Sequence, residues 1–429
     1  MSNFTKTFKL KQHTPLIHFQ HEQVGAGIRA TELKPKLDRF LIKEVFNNQF
    51  DRYKHLLVGF NGTQSQKDFD GKEAFDYKVK INCQSKKVEE IEKQSTDKWG
   101  NTKWNQHPLF FGNMGVEGTE ERKCFVWCEG VEIEFFSLKK ELLETLSERF
   151  AYFIATHNFG TRQTKGFGSF YIDPKDKENH KPFLNVLRED TNAFVFFQRD
   201  MEKQQSVYSD IDMIYKLMKG GINFDFKNSS NFIYHKGFIF KYFLNKKIGN
   251  EKRLIKEKLF PRALKVPQND RLEKKYVRAV LGINESVEFK DKENNRNGIV
   301  KYTHKEVERF ASPIFFKIVG KYVVIIPKSA NAILNIDSDF KLSVGNLSED
   351  IKTPDATDFN TEDFLFEFAT YFNELASKYF GEDSNYKEYT IEDIDENLMD
   401  DYDSNKLRVT VMKQFVHSLE CSLTKFKKQ

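Results

Sequence analysis

Fourteen residues, Asn158 to Tyr171, constrain this chain more than any other stretch. They read NFGTRQTKGFGSFY, with Gly160, Gly166 and Gly168 set around Arg162 and Lys165 and with Phe159, Phe167 and Phe170 interleaved. Glycine admits left-handed and crowded backbone at little steric cost, so successive N–H groups can turn toward a single anion. The cations add charge, and aromatic rings offer faces for stacking bases. Upstream, Val131 to Phe136 alternate like a strand and Ser137 is placed as an N-cap. Leu138, Leu142, Leu143, Leu146, Phe150, Phe153 and Ile154 then recur at helical spacing. The predicted unit is strand, amphipathic helix, glycine-basic loop and a strand over 168–173.

A nucleotide P-loop does not fit. That motif needs Gly-Lys-Ser/Thr running into a helix, whereas Lys165 precedes Gly166 and the loop enters a strand.

At 429 residues the chain has room for two domains. No stretch approaches the roughly 18 apolar residues of a membrane helix, and the N-terminus lacks an apolar secretory core. Four cysteines (Cys83, Cys124, Cys128 and Cys421) form no disulfide framework in a chain this long, so a reducing cytoplasm is expected. The formal net charge of +5 hides an asymmetry. Residues 348–403 hold 18 acidic side chains against three lysines, and 404–429 hold six basic against one acidic, leaving +15 on the first 347. A basic body with an acidic appendage suits a polyanionic partner.

Along the chain, Phe8 and Leu10 alternate with Lys9 and Lys11 as a strand, which Thr14-Pro15 ends. A helix is predicted to start near Pro35, with Leu33, Leu37, Phe40, Leu41 and Val45 on its apolar face. Lys36, Arg39 and Lys43 share another face, a basic stripe beside the glycine loop. Most of 61–104 reads as an inserted arm, with a strand only at 75–83. Strands over 123–128 and 131–136 follow. A sheet with helices between its strands suggests a ferredoxin-like (RRM-like) β-α-β-β-α-β domain in an α+β fold.

After a charged linker at 173–182, a strand (193–199), a helix (206–219) and an alternating segment (231–244) are predicted. Basic helices over 251–264 and 271–281 bring Arg253, Arg262, Arg271, Lys274, Lys275 and Arg278. A hairpin over 312–327 turns at Gly320-Lys321, and helices cover 361–380 and 404–427. The expected division is 1–173, 174–346 and an acidic helical region, 347–429.

Catalytic signals are weak. Cys124 and Cys128 share one strand face but lack the paired tight spacing of a zinc site, so no metal or other cofactor is expected. His13, His18 and His21 leave open a metal-independent ribonuclease, with Arg29 or Lys34 stabilising the charged transition state. A protein-docking role for the acidic region is also open.

Gly160 to Ser169 (GTRQTKGFGS) closely resembles the glycine- and basic-rich loop that follows a helix in RAMP proteins of CRISPR effector complexes. FKLKQHTPL, ELKPKLDRFLIKE, PLFFG and RFASPIFFKIVGKYVVII are similar to segments of the subunit-one family of the type III-B (Cmr) complex. The sister end-subunit of that complex is the nearest competitor. Two features depart from the family: residues 18–27 replace its usual glycine pair, and the tryptophans of its basic helix are absent. The resemblance implies tandem ferredoxin-like RAMP domains that hold RNA and are not themselves the nuclease. It implies a place at the 3′ end of the guide RNA (crRNA), a part in capturing target RNA, and other type III effector subunits as partners. The residues it places against RNA are Arg29, Lys34, Lys36, Arg39, Lys43, Gly160, Arg162, Lys165, Gly166, Phe167 and Gly168.

Overall fold

The computed structural model describes residues 4–17, 27–69, 71–91, 94–96, 102–104, 124–199, 204–225, 232–260, 271–283, 286–291, 296–334, 336, 339–380 and 424–427. It divides into two compact units. Residues 1–192 with 317–323 form the first, and 193–316 with 324–427 the second.

The first unit is built on strands β1 (Thr5–Gln12), β2 (Lys78–Glu90), β3 (Cys124–Phe136) and β4 (Phe170–Ile172). Helix α1 (Ala30–Phe40) lies between β1 and β2 in sequence, and α2 (Lys140–Thr156) between β3 and β4. The spatial order is β4-β1-β3-β2, and every neighbouring pair is antiparallel. That is a β-α-β-β-α-β path with strand order 4-1-3-2. Alternation decides which faces are buried: Phe8 and Leu10 point into the core while Lys9 and Lys11 do not. Aromatic packing fills the space beneath, with the Phe150 ring 4.5 Å from Phe8 and 5.1 Å from Phe135. Much of the phenylalanine load of this unit is core.

Several expectations change. Helix α1 begins at Ala30, a turn and a half earlier than Pro35 suggested, and Pro35 sits inside it. Leu138 lies before α2 and is 72% exposed, so the apolar face starts at Leu142. The supposed arm contributes the edge strand β2, which runs on to Glu90 past the strand expected at 75–83, and among the described residues Gln94–Thr96 pairs with Thr102–Trp104. Its lysines Lys78 and Lys80 face outward, as charged residues on an exposed edge do. The first unit also runs past Asp173 to take in helix α3 (Phe183–Asp190). Arg149 pairs with Asp190 at 2.8 Å, and Phe183 packs on Tyr171. PLFFG, His18 and His21 lie outside the described residues.

The second unit repeats the path with a long insertion. Its elements are β5 (Ala193–Gln198), α4 (Gln204–Lys219), β6 (Gly221–Asp225), β7 (Phe232–Lys236), α5 (Phe238–Asn245), β8 (Ser286–Asp291) and β9 (Arg296–Thr303). Next come β10 (Ile314–Val319), β11 (Tyr322–Pro327), β12 (Phe340–Val344), β13 (Leu347–Ile351), α6 (Thr361–Phe380) and β14 (Thr424–Lys427). One sheet runs β10-β11-β5-β14; the tip of its β10–β11 hairpin, Lys317–Val323, is counted with the first unit. Taking β5, β10, β11 and β14 as first to fourth strands, with α4 and α6 between them, the order is again 4-1-3-2. A second sheet runs β8-β9-β12-β13.

Here too local pattern explains the departures. Residues 424–427 are a strand and not the end of a helix, because Thr424 and Phe426 alternate with lysines and pair with apolar β5. Residues 238–245 are helical, since Phe238, Ile239, Phe240, Tyr242 and Phe243 bury one broad face. Residues 274–281 form a two-residue strand and a 3-10 turn, held by Lys275 between Asp355 (2.9 Å) and Asp358 (2.8 Å) and by the Arg278–Glu251 pair. Strand β13 and helix α6 belong to the second unit, so these acidic residues form no unit of their own.

A buried lysine gives this unit a pH dependence. Lys219 donates to the carbonyl of Gly282 at 2.6 Å, and burial, aided by the Arg278 charge, pulls it down to about 7. In the unfolded chain it stays protonated to about pH 10.4. Between these values the unfolded state binds more protons, so stability rises with pH, by at most about 1.4 kcal/mol per pH unit. Lys219→Met is expected to flatten that rise in urea titrations between pH 7 and 9.

Candidate nucleic-acid interface

The glycine loop is a clasp closed around the Thr14-Pro15 turn. The Gly168 N–H donates to the Pro15 carbonyl (2.9 Å), Thr161 N–H to Ile17 (2.7 Å) and His13 N–H to Ser169 (2.9 Å). The Thr14 hydroxyl donates to the Gly166 carbonyl (2.7 Å) and accepts the Ser169 N–H (2.9 Å). Proline cannot continue the β1 ladder, and the Gln12 amide fills the gap by donating to the Val126 carbonyl at 2.8 Å and accepting the Cys128 N–H at 2.5 Å.

Two glycines make this approach possible. A Cβ on Gly168 (φ 66°) would lie 1.9 Å from the Phe159 carbonyl oxygen, and one on Gly160 (φ 79°) 2.4 Å from that of Ile17. Arg162 also adopts the left-handed region (φ 59°), without glycine's freedom.

The anion expected in the loop is part of the protein. Glu32 of α1 accepts the Gly160 N–H at 2.8 Å and the Lys36 ammonium at 2.7 Å. Lys36 also donates to the Asn158 carbonyl (3.0 Å) and the Gln163 side chain (2.9 Å), with Nζ 5.0 Å from the centre of the Phe159 ring. The Gly166 N–H goes to Gln163. The loop amides of Gly160, Gly166 and Gly168 thus serve the fold, and the picture of N–H groups open to an external phosphate is corrected.

The same holds for Lys34 and Phe167. Lys34 donates to the Phe75 carbonyl (2.8 Å), pairs with buried Asp38 (3.2 Å) and lies 3.6 Å from the Tyr77 ring centre. Burial lowers both Lys34 and Lys36 from the ordinary lysine range. Phe167 is fully buried and stacks on Phe125, so it offers no face to a base; Phe159 and Phe170 are buried too. Phe167 packs the interior, and Lys34 and Lys36, half-buried, spend their hydrogen bonds within the protein.

The remaining cations differ in exposure. Arg39 and Lys43 are exposed, and the Arg39 charge reaches Lys36 and so borders the clasp. Arg29, Arg162 and Lys165 are half-buried, and burial lowers the Arg162 guanidinium. Lys43 pairs with Glu44. Beyond Phe40 the helix widens into a π turn, Leu41–Val45, so Lys43 departs from a strict helical stripe.

Sequence reading missed the residue that braces the clasp. Lys317, fully buried, donates to the carbonyls of His157 (2.7 Å) and Phe170 (2.9 Å), one at each end of the loop. Beside it the Ser169 hydroxyl donates to Ile318 (2.6 Å) and the Gly320 N–H to His13 Nδ1 (3.1 Å). A lone lysine in the apolar run SPIFFKIVG was the only signal. For Glu32, its i,i+4 spacing to Lys36 was legible. Among the described residues no three metal-binding side chains gather, and no helix is long and apolar enough to cross a membrane.

Comparison with known proteins adds the following. The family model of the Cmr1 N-terminal domain matches residues 3–222, and that of the Cmr1 C-terminal domain matches 234–390. Among solved structures, the chain is similar to apo Cmr1 from Pyrococcus furiosus, at 11% identity and a TM-score of 0.37 over 86% of this chain and 96% of that one. No curated protein matches it.

Two variants test the clasp. Gly168→Ala combines left-handed strain with a backbone collision and is expected to cost about 3 kcal/mol or more in denaturant titration. Gly59→Ala, at φ 77° with open space around it, is expected to cost only about 1–2 kcal/mol. Lys317→Met leaves two buried carbonyls short of a donor and is expected to cost about 2–4 kcal/mol by the same measurement.

Proposed function

The chain belongs to the Cmr1 family and is a RAMP-like subunit of the type III-B CRISPR complex, and from that premise we propose that it holds RNA without cutting it. The observation that carries this reading is the division of labour among its cations. Those that pack the clasp are satisfied internally, whereas Arg39 and Lys43 lie exposed on the helix that the clasp positions, with half-buried Arg29 just before that helix and half-buried Arg162 and Lys165 in the loop itself. Exposed cations on a rigid element suit phosphates and 2′-hydroxyls, which position RNA while leaving sequence to guide pairing.

In this reading the subunit caps the 3′ end of the guide RNA and helps capture target RNA within a cytoplasmic complex, beside the other Cmr subunits. Both 4-1-3-2 sheets would be ferredoxin-like RAMP domains. The alternative of a ribonuclease gains no support from His13, whose Nδ1 accepts a backbone N–H from Gly320.

The test is RNA binding across a salt series. Each phosphate contact to single-stranded RNA adds about 0.7 to the slope of log affinity against log salt. Arg39→Ala, Lys43→Ala and Arg162→Ala together are expected to weaken binding and flatten the slope by about 2, with unchanged circular dichroism. The isolated chain is expected to leave guide-precursor RNA intact. An unaltered slope would remove this face from the RNA site, and discrete cleavage would favour the nuclease.

A further inference from the structure

The sheet of the first unit buries one face and leaves much of the other open. Phe8, Leu10, Ile133 and Phe135 point into the core, so the residues that alternate with them point the other way. Register sets these in rows across three strands. Lys78 of β2, Phe136 of β3 and Thr5 of β1 stand side by side, and Lys80, Glu134 and Thr7 form the next row. Asn82, Glu132 and Lys9 form the third, and Lys11 continues the β1 file. Side chains in a row lie about 5 Å apart at Cβ, and rows follow one another at about 7 Å. Strand β3 therefore carries Phe136, Glu134 and Glu132 in single file, with lysines on both sides.

Protection of a sheet edge accounts for lysines on β2 but not for this arrangement. Strand β1 is interior, paired on both sides, yet Lys9 and Lys11 are exposed. Phe136 is 37% exposed, between a lysine and a threonine. The carboxylates bordering the face are engaged elsewhere. Glu178 pairs with Lys6, Asp76 lies 3.6 Å from Lys139, and Asp176 accepts the Lys9 N–H (2.9 Å) and the Asn179 amide (3.0 Å). On the face itself Glu132 and Glu134 are half-buried, and among the described residues neither forms an ion pair with Lys9, Lys11, Lys78 or Lys80. Four exposed cations thus stand against two carboxylates, and the carboxylates share the strand of the exposed ring.

This order of groups matches a nucleic-acid strand. An exposed ring takes the face of a base, and cations beside it take the phosphates. Carboxylates in the ring's own file repel phosphate but accept hydrogen bonds from exocyclic amino groups, as they do from cytosine N4. A protein segment fits less well: an acidic one would meet Glu132 and Glu134, and an apolar one would have to bury four lysines. We infer that this open face holds single-stranded RNA by its bases, one stacked on Phe136 and the next donating an amino group to Glu134, with Lys9, Lys78 and Lys80 on the phosphates. The inference rests on the RNA-holding reading above and goes beyond it, because phosphate contacts alone carry no base preference.

The experiment uses the full chain and two fluorescent oligomers of equal length: oligocytidine, with an amino group on every base, and oligouridine, with none. Anisotropy is expected to show oligocytidine bound about fivefold more tightly. Phe136→Leu is expected to weaken binding of both about tenfold, and Phe136→Tyr to restore it. Glu134→Gln is expected to abolish the preference. Circular dichroism is expected to be unchanged in all three, since both side chains lie on the open face. Wild-type affinity in Phe136→Leu, alongside loss of binding in Arg39→Ala with Lys43→Ala, would overturn this face and leave the RNA-holding reading standing. Equal affinity of the wild-type chain for the two oligomers would overturn it as well. Loss in Phe136→Leu with normal binding in the α1 pair would establish the face and remove the α1 cations from the RNA site. A wild-type chain that binds neither oligomer would overturn both readings.

Discussion

The first unit depends on one crossing of the chain: the Thr14-Pro15 turn held inside the Asn158–Tyr171 loop. Proline ends the β1 ladder and leaves backbone groups without strand partners. The loop supplies them: Gly168 N–H donates to Pro15, Thr161 N–H donates to Ile17, and the Ser169 carbonyl accepts the His13 N–H. Lys317 then ties the loop's two ends. Buried polar groups are costly unless paired, so these bonds act as a set. Their net effect is to fix the N-terminal half of α1, through Glu32 and Lys36, against the loop.

This reframes a glycine- and cation-rich loop. The composition that suggests a site for a ligand's anion is also what a close-packed internal crossing needs. Glycine admits the approach, a glutamate supplies the anion, and a lysine neutralises it. In the proposed reading, contact with RNA then falls to the cations that the crossing leaves outward.

How much could be read from sequence follows the range of the determining forces. Helix α6 was legible to the residue because its acidic first turn, apolar stripe and following Gly381 agree locally. The β10–β11 hairpin, with Gly320 at φ 56°, was legible for the same reason. The strand at 424–427 was not, since its four residues become a strand only against β5, more than two hundred residues earlier. At the site, the basic stripe and the glycine positions were visible, but which cations face inward was not. Lys36 and Arg39 look alike in sequence; Asn158 and Gln163, brought up by the fold, engage one of them and leave the other exposed. Lys317 was hidden because its partners are carbonyls some 150 residues away.

The most direct measurement is the reactivity of individual lysine amines toward an acetylating reagent, mapped by peptide mass with and without single-stranded RNA. Lys36 and Lys317 should stay unreactive in both states, while Lys43 reacts in the free chain and is protected when RNA binds. A reactive Lys36 that RNA protects would contradict the account, placing the clasp lysine on the ligand instead of inside the fold.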